Sequence, residues 1–367
     1  MSRNPSPKPA KKSRETNASI LRSAMLRRLP RQIRGVGEIA VPAAPDLLEH
    51  YVQMFETTFA TLGRKFNAEE VKQFRTILAG KLTEADKISP FAKVVVRYHT
   101  DPLPQTTLTY VVHVEPSSIA AEYEKWVSTR TPPLFGAHPD AKLLDLARSL
   151  GAPADVPILD VGAGTGRNTI PLAKEGFPTD AVELAPSLAA ILRDDLAKQG
   201  LTDVRVFEAN ILDSELELPS KRYRLVVLAE VVSHFRSASE LRQLFEAASK
   251  VLAPGGLLLF SVFLSSDGYK PDMAARQLSQ VFWSTLFTRR ELAEASLGLP
   301  FERFSDESVP EYERAHLPES AWPPTGWFAE WAGGQDVFDL PPGRPPIELR
   351  WLVYRLSDAP ATETADD

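Results

Sequence analysis

The chain has 367 residues, a formal net charge of −6 at pH 7 and no cysteine. Its length exceeds the ~250–300 residues at which one hydrophobic core stops growing, so we expect more than one structural unit. The lack of cysteine excludes disulfides, thiolate nucleophiles and cysteine-ligated metals, and no two of the six histidines stand within four residues, so no metal site is predicted. No stretch approaches the ~20 apolar residues of a membrane span and no apolar signal core follows the start, so we expect a soluble cytoplasmic protein without a membrane partner.

Residues 1–44 are predicted to form a basic tail without stable structure, apart from one short helix near 17–29. The first 34 residues hold ten lysines and arginines but only one acid, Glu15. Such a composition offers little apolar surface to bury. A solvated tail is the simplest interpretation, and contact with RNA or a partner, or an organelle transit peptide, are the alternatives.

Residues 45–116 are predicted to form a small α+β unit. Apolar side chains follow a 3.6-residue period over 46–63, which favours a helix. A second helix is expected to begin at Asn67, because Glu70 stands at the third position of a capping box. Two strand patterns follow within 91–115. The pattern is compatible with a lid, a dimer surface or a substrate platform.

Residues 157–184 carry the pattern strand, glycine turn, helix, strand. The apolar run 157–161 is typical of a strand buried on both faces of a parallel sheet. In the loop 162–166, glycines allow a sharp turn and close approach of the backbone to a ligand. The helix after the loop presents free N–H groups. Glu183, near the end of the apolar run 180–184, places a carboxylate where both hydroxyls of a ribose can be bound.

The glycine spacing narrows the choice of ligand. A dinucleotide fingerprint needs glycine or alanine at the sixth position of the loop, which is Arg167 here. The glycines fall instead at Gly162, Gly164 and Gly166. This spacing disfavours a nicotinamide-dependent oxidoreductase, and cofactor titration would test that alternative.

Strand patterns alternate with helical patterns along the rest of the chain. This alternation predicts right-handed crossovers and helices on both faces of a sheet. The predicted fold class is therefore α/β, with a doubly wound, mostly parallel, seven-stranded sheet and an N-terminal α+β extension. Ligands of such sheets bind at the carboxyl ends of the strands. The seven predicted strands cover residues 157–161, 180–184, 204–209, 223–232, 257–264, 301–309 and 347–356.

The main domain is predicted to span residues 117–357 and to contain an insertion rich in aromatic residues and proline at 310–346. Insertions of this length within a compact domain are usually functional or disordered, and the aromatic content argues against disorder. We expect this one to pack over the sheet ends and shape a substrate pocket, with a structural clasp as the alternative. Residues 358–367 are predicted to form a loose acidic tail.

Residues 155–265 resemble the class I methyltransferases that use S-adenosyl-L-methionine (SAM), which implies a Rossmann-like methyltransferase fold. The subtype resembles small-molecule and tellurite-resistance-type methyltransferases. Residues 1–115 and 310–346 lie outside the resemblance. The motifs that carry it are Leu159-Asp160-Val161-Gly162-Ala163-Gly164-Thr165-Gly166, Val182-Glu183-Leu184, Glu208-Ala209-Asn210-Ile211, Leu225-Val226-Val227-Leu228-Ala229-Glu230-Val231 and Leu252-Ala253-Pro254-Gly255-Gly256.

The resemblance implies SAM as the cofactor and eleven residues that bind it. Glu183 would bind the ribose hydroxyls and Asp160 would help hold the amino group of the methionine part. Many relatives have aspartate where this chain has Asn210, whose side chain can still accept a hydrogen bond from the adenine. The implied set is Asp160, Gly162, Ala163, Gly164, Gly166, Glu183, Leu184, Asn210, Ile211, Ala229 and Glu230.

The implied activity is in-line transfer of a methyl group, for which a protein mainly orients the nucleophile and excludes water. His234, at the end of the fourth strand, is the candidate general base if the acceptor carries a proton, and a purely structural role is its alternative. The acidic body and the aromatic insertion favour a small-molecule acceptor over RNA or protein. A non-catalytic SAM-binding regulator or partner subunit is the alternative function, and no pattern indicates an oligomeric state.

Overall fold

The computed structural model describes residues 14–102 and 107–357, so the predicted acidic tail at 358–367 and the start of the predicted basic tail lie outside it. The chain divides into two units. Within the described residues, no helix has the length and apolar character needed to cross a bilayer. The N-terminal unit contains residues up to 41, 47–85 and 93–115, and the C-terminal unit contains 42–46, 86–92 and the residues from 116 onward.

The N-terminal unit packs helices around phenylalanines. Phe55, Phe59 and Phe74 are fully buried, with ring centroids 5.3 to 6.2 Å apart. The predicted capping box is confirmed, because the Glu70 N–H donates to Asn67 Oδ1 and the Asn67 N–H donates to Glu70 Oε2. The elements are α1 (Ala18–Leu26), β1 (Val36–Pro42), α2 (Leu48–Thr61), α3 (Ala68–Ile88), β2 (Lys93–Thr100) and β3 (Leu108–Glu115), with sheet order β1-β2-β3.

Strand β1 corrects the prediction that residues 1–44 lack stable structure. Helix α1 falls within the short helix expected near 17–29, but β1 was not predicted. Beside it, the Gly35 N–H donates to Thr100 Oγ1 at 2.6 Å and the Thr100 N–H donates to the Gly35 carbonyl at 2.7 Å. The strand thus depends on partners more than 50 residues away, which local composition does not reveal.

The C-terminal unit contains the predicted sheet. Its seven-stranded order is β10-β11-β8-β7-β4-β5-β6, and the two-residue strand β9 adds an eighth member beside β8. Strands β6, β5, β4, β7 and β8 are parallel, whereas β11 is antiparallel to both neighbours. The doubly wound, mostly parallel fold is therefore confirmed. The strands are β4 (Ile158–Val161), β5 (Thr179–Glu183), β6 (Arg205–Glu208), β7 (Tyr223–Leu228), β8 (Leu252–Ser265), β9 (Leu286–Phe287), β10 (Phe301–Ser308) and β11 (Ile347–Leu356).

Helices cover both faces of this sheet. One face packs against α8 through Leu244, Phe245 and neighbouring apolar residues, as the stripe in the sequence indicates. The other face buries Leu143 and Trp331, which belong to helices that are far apart in the sequence. The helices are α4 (Ile119–Thr129), α5 (Ala141–Ser149), α6 (Thr169–Lys174), α7 (Pro186–Lys198), α8 (Ala238–Val251), α9 (Met273–Val281), α10 (Arg289–Ser296), α11 (Val309–His316) and α12 (Phe328–Ala332).

Hydrogen bonds of Glu313 link the start of the insertion to the core. Its buried carboxylate accepts hydrogen bonds from the backbone N–H groups of Ala141 at 2.7 Å and Lys142 at 3.2 Å, and from Trp351 Nε1 at 3.0 Å. The first turn of a helix leaves such N–H groups without an intrahelical partner. Glu313 on α11 therefore completes the N-terminus of α5, which also favours a negative charge.

Replacing Glu313 with alanine is expected to lower the free energy of unfolding by about 3 kcal/mol, because three donors lose their acceptor, at least two of them buried. Chemical denaturation followed by circular dichroism measures the loss. Glu311→Ala, at an exposed position of the same helix, is the matched control and should cost about 0.5 kcal/mol or less. Equal losses for the two variants would contradict the assigned role of Glu313.

Candidate functional site

The glycine loop adopts a backbone that requires glycine. Gly162, Gly164 and Gly166 have φ angles of +72°, +57° and +94°, in the left-handed region that a Cβ disfavours. A Cβ on Gly164 would lie 3.3 Å from the ring of Phe135. A Cβ on Gly166 would lie 2.6 Å from Leu192, a residue of α7. Gly164 thus keeps space open at a cavity, whereas Gly166 allows tight packing beneath the loop.

A cavity of about 410 Å³, the loop cavity, opens at the carboxyl ends of the parallel strands. Ligands of doubly wound sheets bind where the strand order reverses, which here is between β4 and β7: β5 and β6 lie on one side of β4, and β7 and β8 lie on the other. Of the twelve predicted site residues, all but Asp160 and Gly166 line it. The ten lining residues are Gly162, Ala163, Gly164, Glu183, Leu184, Asn210, Ile211, Ala229, Glu230 and His234.

Asp160 lies apart from the cavity lining. Its side chain is buried, and its Oδ2 accepts a hydrogen bond of 2.6 Å from the hydroxyl of Thr169 at the start of α6. Burial raises the pKa of Asp160 to about 6, although Thr169 and Arg167 oppose the shift. The structure gives this carboxylate a hydrogen bond to the first residue of α6, and its contact with a ligand stays a prediction.

Glu183 is held in one orientation by the backbone. Its Oε2 accepts from the Gly164 N–H and its Oε1 from the Ala185 N–H, both at 2.7 Å. Burial raises its pKa, and these donors oppose the shift by stabilising the charged form. Each oxygen keeps a lone pair for a further donor. The carboxylate is therefore a preorganised acceptor at the cavity wall.

Asn210 is partly committed to the local backbone. Its Oδ1 accepts a hydrogen bond of 2.9 Å from the Leu212 N–H, which forms an Asx turn after β6. The second lone pair of Oδ1 and the amide protons are the groups that this side chain can offer to a ligand.

Arg167 was considered in the sequence only for its spacing, but the structure places it at the centre of a buried charge network. Its Nη1 donates to Asp140 at 2.6 Å and its Nη2 donates to Glu230 at 2.9 Å. Glu230 has a φ angle of +61°, which is uncommon for a residue with a Cβ, and its N–H donates to Ser261 Oγ. Burial raises the pKa of Glu230, and Arg167 opposes the shift. The sequence feature that could have indicated this role is the position of a charged residue directly after the glycine loop.

His234 forms a pair with Tyr123. The Tyr123 hydroxyl lies 2.9 Å from His234 Nε2, while the buried Nδ1 has no hydrogen-bond partner among the residues that the structure describes. Burial lowers the pKa of His234 to about 4, so the ring is neutral at pH 7. Burial also raises the pKa of Tyr123, as do Glu183 and Glu230. A neutral imidazole with an unused nitrogen thus lies at the cavity wall.

A second cavity of about 290 Å³, the aromatic cavity, adjoins the first. Four residues line both cavities: Tyr123, Phe135, Glu230 and His234. The insertion contributes Trp327 and Trp331 to the lining, and its predicted role in shaping a substrate pocket stays a prediction. Further lining residues are Glu122, Trp126, Arg130, Ser233, Phe282, Trp283 and Asp336.

Comparison with known proteins finds similarity in the region that contains the glycine loop. Residues 158–256 match the family model of a methyltransferase domain. The chain is 33% identical over 134 residues to a protein of Geobacillus sp. (strain WCH70) whose name classes it as a methyltransferase, covering 36% of this chain and 49% of that protein. It is 28% identical to a ubiquinone biosynthesis O-methyltransferase of Xanthomonas campestris, covering 44% of this chain and 65% of that enzyme.

A third relative is a demethylmenaquinone methyltransferase of Tropheryma whipplei, which is 28% identical over 32% of this chain and 45% of that enzyme. The chain thus spans about half of the length of the first of these relatives and less than two thirds of the others. The shared region includes the glycine loop and the strand ends that line the loop cavity, whereas the N-terminal unit and the insertion lie outside the family match.

Replacing Arg167 with methionine is expected to lower the free energy of unfolding by about 3 kcal/mol, because two acids that share a buried cation lose it. Arg193→Met is the control, since its pair with Glu208 is largely exposed, and should cost less than about 1 kcal/mol. Chemical denaturation of both variants tests the difference. Similar losses would show that the Arg167 network contributes no more than a surface ion pair.

Proposed function

We propose that this chain, whose residues 158–256 match the family model of a methyltransferase domain, is a class I SAM-dependent methyltransferase that moves a methyl group from SAM to a small-molecule acceptor by in-line displacement. When bound, SAM supplies an electrophilic methyl group on a sulfonium. The chain would bind and orient both reactants and exclude water from the space between them. The convergence of ten predicted residues on one cavity is the observation that carries this proposal.

The residues of the loop cavity fit SAM chemically. Gly164 keeps a side chain out of the cavity, Val231 packs where a Cβ on Gly162 would lie, and the preorganised Glu183 carboxylate suits a pair of ribose hydroxyls. Asn210 and Ile211 would flank the adenine at the end of β6. Leu184 follows Glu183 in the cavity wall. The volume lies within the range of small-ligand sites, about 300–1,000 Å³.

Ala163, Ala229 and Glu230 lie where the methionine end would bind. Glu230 offers a carboxylate to an amino group, while Arg167 shares that carboxylate from the other side. Asp160 and Gly166 would act indirectly, by fixing α6 and by allowing the loop to pack on α7.

The aromatic cavity supports a small-molecule acceptor. It adjoins the loop cavity through a shared wall and has room for a small organic molecule. Two of the relatives have names that denote small-molecule acceptors, a ubiquinone precursor and demethylmenaquinone. His234 would accept a proton from the acceptor, because its imidazole is neutral at pH 7 and lies in the wall that the two cavities share.

A non-catalytic SAM-binding role is the competing function. The depressed pKa of His234 favours it, because a group with a pKa of about 4 is a weak proton acceptor. Methyl transfer from radiolabelled SAM to a panel of amines and phenols distinguishes the two functions.

Replacing Glu183 with glutamine is expected to weaken binding of S-adenosylhomocysteine by about 10- to 100-fold, because a charged acceptor of two hydroxyl groups is lost. Titration calorimetry measures the affinity, with NADH as the negative ligand. Glu208→Gln is the matched control, since Glu208 pairs with Glu183 in the sheet register but lies outside the cavity lining. Unchanged affinity in a folded Glu183→Gln variant would contradict the ribose assignment.

Replacing His234 with alanine is expected to lower turnover by about 100-fold or more while leaving the affinity for S-adenosylhomocysteine unchanged. Because burial lowers the pKa of His234 to about 4, activity that depends on the neutral ring should persist at pH 6 and fall only as the pH approaches that value. His316→Gln, at an exposed position, is the control. Wild-type turnover in the alanine variant would show that His234 is structural.

A further inference from the structure

Four tryptophan rings line the aromatic cavity. Trp126 stacks on Trp283 with ring centroids 5.1 Å apart. Trp327 meets Trp126 edge to face at 6.2 Å and Trp331 at 5.6 Å. The faces of such rings carry negative potential, so a cluster of them attracts a cation as well as an apolar group.

Charged groups around the cavity add to this potential. Three carboxylates line it, those of Glu122, Glu230 and Asp336, and Arg130 supplies the one guanidinium among the lining residues of the described chain. Glu122 pairs with the exposed Lys125 and Glu230 pairs with Arg167. Asp336 has no hydrogen bond or ion pair within the residues that the structure describes.

The side chain of Arg130 places a cation against one of these rings. Its guanidinium carbon lies 3.6 Å from the centroid of the Trp126 ring, which is a close cation–π contact. The position is exposed and follows directly after α4. The cluster thus accepts a positive group on at least one ring face.

We propose that the aromatic cavity selects a cationic acceptor, a small aliphatic amine or ammonium compound, held by the tryptophan faces and the carboxylates. This rests on the proposed function, because the amine would be the methyl acceptor. A protonated amine first gives its proton to bulk water, which leaves the neutral amine with a free lone pair. The amine nitrogen then forms a bond to the methyl carbon while the carbon–sulfur bond breaks, with its electron pair left on sulfur. The products are the N-methylated ammonium and S-adenosylhomocysteine.

A neutral phenol would fit the charges of this cavity less well. It could stack on the rings, but burying it beside carboxylates would remove water from those groups without offering a compensating charge. The neutral state of His234 adds no positive charge that would repel an ammonium group.

Tryptophan fluorescence provides a direct test in the full chain, because four of its six tryptophans line the cavity. The probes are choline and 3,3-dimethylbutan-1-ol, a neutral molecule of the same shape, each titrated with and without saturating S-adenosylhomocysteine. We expect choline to bind at least about 5-fold more tightly than the neutral probe, given the usual size of cation–π contributions. Equal affinities, or tighter binding of the neutral probe or of phenol, would overturn the proposal.

Three variants locate the binding. Trp126→Leu is expected to weaken choline binding by about 5- to 30-fold and to leave the neutral probe within about 2-fold. Arg130→Gln is expected to tighten choline binding, because a competing cation is removed from the ring face. Asp336→Asn, at an exposed position, should weaken choline binding and keeps the test decisive if Trp126→Leu does not fold. Choline affinity unchanged in folded variants would place its site elsewhere and overturn the proposal.

Calorimetry with S-adenosylhomocysteine separates this inference from the proposed function. Failure of that ligand to bind would refute the proposed function, while the choline titration without it still decides whether the cavity prefers a cation. Binding of S-adenosylhomocysteine without any preference for choline would refute only the inference about the acceptor.

Discussion

The hydrogen bond from the Gly164 N–H to the Glu183 carboxylate is the contact on which the candidate site depends. It joins the loop after β4 to the end of β5, and the Ala185 N–H binds the other oxygen of the same carboxylate. A carboxylate held by two backbone donors cannot rotate away from the cavity. The left-handed backbone of the loop allows this approach, because a Cβ at Gly164 would be strained and would contact Phe135.

A chain of buried charges connects this site to the insertion. Glu313 on α11 binds the first N–H groups of α5, and Asp140, the N-cap residue of that helix, binds Arg167. Arg167 in turn binds Glu230, which lines both cavities. The hydrogen bonds that hold α5 against α11 and those that orient the Glu230 carboxylate therefore belong to one connected network.

Aromatic and polar side chains form the wall that the two cavities share. Tyr123 and His234 form a hydrogen-bonded pair, and Phe135 packs against both Tyr123 and the glycine loop. A wall shared by two cavities is the arrangement that a group transfer between two bound molecules needs, because the reacting atoms must approach without water between them. The aromatic residues therefore contribute to packing and to the chemistry that the site can support.

The sequence by itself determined the doubly wound sheet and most of the loop cavity. Apolar runs and glycine positions are local signals, and parallel strands bring their carboxyl ends to one edge, so residues such as Glu183, Asn210 and Glu230 could be placed together without coordinates. Only the tertiary structure decided which side chains line the cavity. Asp160 turned to Thr169, Arg167 joined Asp140 to Glu230, and β1 formed where a tail was expected. The aromatic cavity combines Trp126, Trp283 and Trp327 from segments about 45 to 200 residues apart, and such contacts depend on how elements pack across the chain, which a local pattern does not encode.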